Sequence, residues 1–407
     1  MKPERGPGPQ GRGAETRSAA LDFELKEEHK MIRDMCRDFS REVIAPQAEE
    51  VERTGAYPYG IIAQMAELGM MGIPISETYG GSAGDWVGMH LCIEEISRGD
   101  VTLGALLDVT TSVVAQELEV FGTEEQKRTW LVPIAKGEKI GAFGLTEPDS
   151  GSDAGSLRTT SLLEEGQWVI NGSKQFITNI GLDNASIIII AAVTRKAAKG
   201  RGRISTFIVP KDSSGLTLGK RYEKIGWHGS ATHEVIFEDC RIPEDYLLGD
   251  PNKGFAQHLA VLETGRISIA ACAVGLAQAC LDECVRYAKE RVQFGKPIGS
   301  FQAIQWKMAD MSMAVELSRN QYLKAAWLKD QGRRHSFEAT VAKLFATEMA
   351  ERVASDAVQI HGGYGYMAEY PVSRFYTGAK VLQIVEGTSE VMRLILARGL
   401  GLDARSY

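Results

Sequence analysis

The chain has 407 residues, 44% hydrophobic and 24% charged, with a formal net charge of -7. That length suggests two to three domains with ample core material, and the mildly acidic balance argues against nucleic acid as a partner. Its six cysteines, at 36, 92, 240, 272, 280 and 284, form no Cys-x-x-Cys pair, which argues for a reducing compartment without disulfides or a structural zinc; no metal is expected.

Residues 1–19 are rich in Gly, Pro, Arg and Glu and lack an apolar signal core; they read as a disordered tail. Glu4 and Glu15 argue against a mitochondrial transit peptide, so a cytoplasmic location is expected over the mitochondrial matrix. No apolar run stands out as long enough for a membrane span. Residues 20–138 read helical. Ile32, Cys36, Phe39 and Val43 recur on one helical face, and Pro46 ends or kinks that helix. Shorter periodic runs follow at Ile61–Leu68 and Met89–Ile96. Thr123 stands three residues before Gln126, the spacing of a capping box.

The texture changes over residues 139–250. Short β-rich runs, Trp168–Ile170, Ile187–Ile190, Ile204–Val209 and Val235–Phe237, alternate with turn signals. Asn171-Gly172 is read as a turn. These features predict a small antiparallel β domain. The basic stretch Arg195, Lys196, Lys199, Arg201 and Arg203 reads either as a solvated loop between strands or as a contact to a ligand phosphate. Over 251–407 the helical period returns. One long helix runs toward Arg291, and two more cover Ala303–Gln331 and Phe337–Ile360. Long helices joined by short loops predict an antiparallel bundle.

Five stretches carry candidate chemistry. Gly144–Gly155 packs glycines, hydroxyls and carboxylates into a dozen positions; such a loop is either a turn or a cradle for a polar heterocycle. In Gln175–Asn179, an aromatic at Phe176 precedes Thr178 by two, which on a strand shares a face; Phe176 is then a ring-covering group or a core residue. In Arg291–Pro297, Arg291 either clamps a pyrophosphate or compensates a helix dipole. Gln359–Tyr366 sets a glycine cluster directly after a long helix, weak evidence for a phosphate contact. Finally, Ile384–Glu390 delivers Glu386 from an apolar run into a Gly-Thr-Ser turn. A half-buried Glu386 has its charge disfavoured by desolvation, the setting for a general base; the alternative is a Glu that caps the next helix.

In this order, the five stretches resemble the acyl-CoA dehydrogenase family over residues 20 to 403. Gly144–Gly155 resembles one family signature throughout, and Gln359–Tyr366 with Glu369 and Arg374 resembles the start of a second. The second departs at Thr377-Gly378, where many members have Arg-Asp, and this puts the local support of the Glu386 loop in question. The resemblance implies an α + β multi-domain fold: an N-terminal helical domain, a central antiparallel β domain and a C-terminal four-helix bundle. It also implies FAD, a homotetramer built as a dimer of dimers, an acyl-CoA substrate, an electron-transfer flavoprotein as partner, and a place in fatty acid or amino-acid catabolism.

Residue by residue, the resemblance puts Phe143, Leu145, Thr146, Gly151 and Ser152 along the flavin, with Ser152 also meeting the CoA chain. Phe176 and Thr178 match an aromatic-x-Thr that covers the ring, where members often have Trp first. Arg291, Gln293, Phe294 and Gln302 match FAD contacts, partly to a neighbouring subunit's cofactor, as do Gln359, Gly362 and Gly363. Thr388 and Glu390 match phosphate or ribose contacts, and Arg266 matches a CoA-contacting Arg. Glu263, Gly387 and Asp108 join the expected substrate site. Most members carry the base where Glu386 stands; a minority place it immediately before the Arg equivalent to Arg266, where this chain has Gly265. Glutaryl-CoA-specific members carry an Arg where this chain has Gly104, which disfavours a dicarboxylyl substrate and favours short-, medium- or branched-chain acyl-CoA. An oxidase, or a biosynthetic or aromatic acyl-CoA dehydrogenase, is the alternative within the fold; a flavoprotein that only binds a partner is the alternative outside it.

Overall fold

A computed structural model describes residues 24–195 and 202–402. The expected tail, and Lys196, Lys199 and Arg201 of the basic stretch, lie outside the described residues. The N-terminal region is helical: α1 (Glu27–Phe39), α2 (Ala48–Thr54), α3 (Tyr59–Glu67), α4 (Trp86–Gly99), α5 (Val101–Leu107), α6 (Gln116–Phe121), α7 (Glu124–Gln126) and α8 (Val132–Ala135). The predicted capping box is present, with the Gln126 N–H donating to Thr123 Oγ1 and the Thr123 N–H to Gln126 Oε1. Between α5 and α6 the chain winds as a π-helix over Asp108–Ala115. Such i→i+5 turns are rare and recur at functional sites.

The centre is a sheet of β1 (Ile140–Gly144), β2 (Thr160–Glu164), β3 (Gln167–Thr178), β4 (Ala185–Arg195), β5 (Arg203–Pro210), β6 (Leu216–Arg221), β7 (Thr232–Pro243) and β8 (Leu247–Leu248). The strand order is β6-β7-β3-β2-β4-β5-β8, with β1 also against β4. The sheet is mixed rather than purely antiparallel, because β1 lies parallel to β4 and β2 touches β4 in parallel. The unbroken Ile187–Ile190 run explains the burial of β4 on both faces. Ile187 and Ile189 pack on the N-terminal helices with Val114 and Leu118. Ile188 and Ile190 pack inside the β core with Phe207 and Val235, as a two-sided buried strand must.

The predicted turn at Asn171-Gly172 is corrected. Both residues lie inside β3, at a register shift opposite β7. Asn171 and Asp239 exchange hydrogen bonds across the bulge. The hairpin turns instead at Glu165 and Gly166, which both have positive φ, 49° and 78°, the backbone that a two-residue hairpin loop demands.

The C-terminal region is a helical bundle of α9 (Gly254–Glu290), α10 (Gln302–Asp330), α11 (Ser336–His361), α12 (Pro371–Leu382) and α13 (Ser389–Gly399). A two-stranded ribbon, β9 (Val292–Gln293) and β10 (Lys296–Pro297), connects α9 toward α10. Helix α9 is the axis of the molecule: it packs on α4 as well as on α10, α11 and α12. Its inner positions are small, including Ala270, Ala271, Ala273, Gly275 and Ala277, so neighbouring backbones come close. The expectation that no run is long enough to span a membrane is corrected. Val101–Phe121 and Gly254–Glu290 are long and apolar enough to span one, but their most apolar stretches are 94% and 78% buried inside the protein. A helix enclosed on all sides is apolar all round.

At the Thr377-Gly378 departure the contact to the β domain is made by the backbone. Gly378 O accepts a 3.0 Å hydrogen bond from Trp227 Nε1. A Cβ at Gly378 would stand 3.4 Å from both Trp227 Nε1 and Val101 Cγ1. Those are ordinary contact distances, and it is the indole's hydrogen bond to the backbone that ties the β domain to the bundle.

A side chain at position 275 would disrupt the contact of α4 with α9, because its Cβ would fall 2.1 Å from Glu94 O. Gly275→Ala is therefore expected to destabilise the fold by about 1–3 kcal/mol, read as a lower urea midpoint at unchanged slope. An unchanged midpoint would show that the two helices separate without cost.

Candidate active site

The loop that presents Glu386 leaves the end of α12 and enters α13. Glu386 has φ +53° and Gly387 φ +99°. A positive φ at a non-glycine residue is uncommon and persists where the surroundings enforce it. Three interactions enforce it here. The Ser389 N–H donates to Gln383 O at 3.0 Å. Thr388 caps α13, accepting from the Val391 N–H at 3.3 Å. Lys343, fully buried on α11, donates from Nζ to Gly387 O at 2.8 Å. The helix cap is thus Thr388, and Glu386 is left free for another purpose.

The Glu386 side chain crosses to α9 and lies on Gly265. A Cβ placed at 265 would be 2.1 Å from Glu386 Oε2 and 2.8 Å from Oε1. Position 265 must therefore be glycine for the carboxyl to seat. The residue as a whole is half-buried, yet Oε2 is itself buried and has no partner. Burial raises the carboxyl above the usual carboxylate range, against the pull of Asp108, Lys343 and Arg266. Arg266 is 7% exposed and its Nε has no partner; Glu263, half-buried, acts on it electrostatically. Asp108 is buried on the π-helix and interacts with both Glu386 and Ser268. Sequence reasoning missed Lys343 and the steric role of Gly265. A signal existed for the first: Lys343 shares a face with Ala339, Ala342, Ala346 and Ala350, all buried, and a lysine on such a face needs a partner.

The Gly144–Gly155 loop is fastened to β3 by a buried ion pair. Lys174 Nζ donates to Glu147 Oε1 at 2.7 Å and to Leu145 O at 3.2 Å. Glu147 also accepts from the Arg158 and Thr159 N–H groups. Burial lowers Lys174 to about 8, with Glu147 opposing. The Gln175 N–H donates to Thr146 O at 2.9 Å, so the loop lies beside the Phe176–Thr178 segment. Phe176 is not a core residue: it is 60% exposed at φ +62°, while Ile177 is buried. Its ring leans on Tyr222, centroids 5.4 Å apart. Thr146 and Thr178 are half-buried and Gly151 and Ser152 exposed. Leu145 is buried with Leu157 and Leu262, and half-buried Phe143 meets His258 edge-on at 4.6 Å.

A second group of expected residues gathers elsewhere, where α9 and α11 end together. Here an open cleft of about 500 Å³ is lined by Tyr287, Arg291, Gln293, His361, Gly362 and Gly363, among others. Arg291 sits over the Tyr364 ring at 5.3 Å. His361 Nε2 is buried without a partner. A Cβ at Gly362 or Gly363 would meet nothing within 4 Å, so the backbone there is bare. Phe294 is 94% exposed, and Gln302, Gln359 and Glu390 are exposed. The residues present fit FAD in two ways: an uncovered aromatic with half-buried hydroxyls near the Gly144–Gly155 loop suits a flat ring, and a cationic, glycine-lined cleft with an orphaned imidazole suits a nucleotide.

Comparison with known proteins agrees. Models for the N-terminal, middle and C-terminal domains of acyl-CoA dehydrogenase match residues 26–138, 142–240 and 252–401. A probable acyl-CoA dehydrogenase of Bacillus subtilis (strain 168) is 51% identical over 380 residues, 93% of this chain and 100% of that one. The structure of butyryl-CoA dehydrogenase from Megasphaera elsdenii superimposes with a TM-score of 0.90 at 40% identity, over 93% of this chain and 100% of that one. A chain in the structure of the electron transferring flavoprotein of Acidaminococcus fermentans gives a TM-score of 0.91 at 43% identity, over 94% and 100%. With three consecutive domain models, a relative of this identity and a carboxyl seated on bare helix backbone, the chain belongs to the acyl-CoA dehydrogenase family, FAD-dependent enzymes that act on acyl-CoA.

Proposed function

We propose that Glu386 is the base that removes the α-proton of a short-, medium- or branched-chain acyl-CoA, giving the trans-2-enoyl-CoA. The observation that carries this reading is the Glu386 carboxyl itself, with Oε2 unpartnered and buried beside Arg266 and Lys343. A thioester α-C–H is weakly acidic, so the base must be basic and the developing enolate stabilised. Desolvation supplies the first requirement, and substrate entry strengthens it by expelling water. The Glu386 backbone N–H is the chain's donor to the thioester oxygen, acting as half of an oxyanion hole. When bound, FAD supplies the two-electron acceptor for the bond broken at the β-carbon.

The chain's own residues divide the remaining work. Phe143, Leu145, Thr146, Gly151, Ser152, Phe176 and Thr178 hold the flavin, the buried ones through backbone. Arg291, Gln293, Phe294, Gln302, Gln359, Gly362, Gly363, Thr388 and Glu390 hold the rest of FAD, partly that of a neighbouring copy. Arg266, Glu263, Gly387, Asp108 and Ser152 meet the acyl-CoA. Support for a short acyl group comes from the likeness to butyryl-CoA dehydrogenase, and position 104 argues separately against a dicarboxylyl one. A Cβ there would lie 1.9 Å from Ser97 Oγ, which leaves no space for the long cation of a glutaryl-type pocket. Trp306, Met313, Leu317, Phe337, Phe345 and Leu394 are exposed on the bundle, apolar surface that suits a homotetramer. The proposed electron acceptor is an electron-transfer flavoprotein, and the proposed location is cytoplasmic.

Glu386→Gln is expected to retain FAD and bind acyl-CoA but lose about 10²–10⁴-fold of the anaerobic flavin-bleaching rate. Retention of more than about a tenth of the wild-type rate would remove Glu386 as the base. Gly265→Ala drives a methyl group into the Glu386 carboxyl. Displacement by roughly an ångström is expected to lower the same rate by about 10²-fold, with FAD content unchanged. Wild-type bleaching by this variant would show that the carboxyl works from another position.

A further inference from the structure

Beside the proposed base lies a second buried carboxyl. Asp108 is 1% exposed, and its Oδ1 has no partner, just as Glu386 Oε2 has none. The two carboxyl groups are neighbours that act on one another electrostatically. Ser268 on α9 also acts on Asp108, and Cys272 lies one turn further along the same helix. The cations Arg266 on α9 and Lys343 on α11 act on Glu386, and neither counts among the neighbours that shift Asp108. Glu263 faces Arg266 rather than the pair.

We infer that Asp108 and Glu386 share one proton in the free enzyme, which makes Asp108 a positioning residue that keeps the base ionised and aimed. Two carboxylates in contact and away from water cannot both carry charge. The proton rests on Asp108, because the cations favour charge on Glu386. The Asp108 O–H then donates to the Glu386 carboxylate. The directions agree: burial and the neighbouring Glu386 push Asp108 well above the usual carboxylate range, whereas the bond from Asp108 pulls Glu386 down against its own burial. The change from α- to π-helix begins at Asp108. The pair behaves as one unit with two macroscopic titrations. A second proton neutralises the base at low pH, and loss of the shared proton leaves two repelling carboxylates at high pH. The inference rests on Glu386 being the base.

The test is the pH dependence of anaerobic flavin bleaching by acyl-CoA in holoenzyme. Wild type is expected to lose rate on both an acid and an alkaline limb. Asp108→Asn keeps a hydrogen-bond donor but has no proton to lose, so its alkaline limb disappears. Asp108→Ala removes the donor, so the acid limb moves up by about one pH unit or more. Infrared spectra of free holoenzyme read the pair without turnover: a protonated-carboxyl C=O band at neutral pH is expected in wild type and Glu386→Gln and absent in Asp108→Asn. Superimposed wild-type and Asp108→Asn profiles, or a band that survives Asp108→Asn, would overturn the shared proton. A dead Glu386→Gln with superimposed profiles sinks only the pair; an active Glu386→Gln with the band present sinks only the base.

Discussion

A carboxyl group taken out of water on the backbone of a helix is the constraint around which this molecule is arranged. Burying a carboxylate is expensive unless charge or hydrogen bonds compensate it. Glu386 has both, from elements distant in the chain: Arg266 on α9, Lys343 on α11 and Asp108 on the π-helix. The seat exists only because residue 265 has no side chain. The buried carboxyl is therefore a product of four segments meeting, and an error in any one leaves an uncompensated buried charge.

The same economy governs the central sheet. The signature loop could wander, as glycine-rich loops do, but the Glu147 carboxylate gathers Lys174 and two backbone N–H groups inside the protein. Breaking a buried pair of this kind costs about 3–5 kcal/mol, most of it from the partner left behind. The loop is rigid where it meets β3, and Phe176 stands exposed beside it. Its ring touches Tyr222 yet leaves most of its surface open, on a backbone conformation that bulky residues rarely adopt.

The departure at Thr377-Gly378 shows how a local change is absorbed. The Gly378 carbonyl accepts a hydrogen bond from the Trp227 indole, a backbone contact that does not depend on the side chain replaced. The loop of Glu386 takes its support from Lys343 and the Thr388 cap instead.

The sequence alone determined the features that depend on neighbours in the chain. Helical periodicity over α9, α10 and α11, the Thr123–Gln126 capping box and the Ile187–Ile190 run of β4 were all legible, because local spacing sets which face is buried. The ordered motifs carried the family and pointed to Glu386. Tertiary structure decided what depends on distant segments. It turned Asn171-Gly172 into a bulge, since β7 continues the ladder there, and it gave the hairpin to Glu165-Gly166. It laid β1 parallel to β4, and it enclosed two membrane-length helices in protein. Above all, it brought Gly265, Lys343 and Asp108 to Glu386, a meeting no local spacing encodes, because electrostatic compensation acts through space and not along the chain.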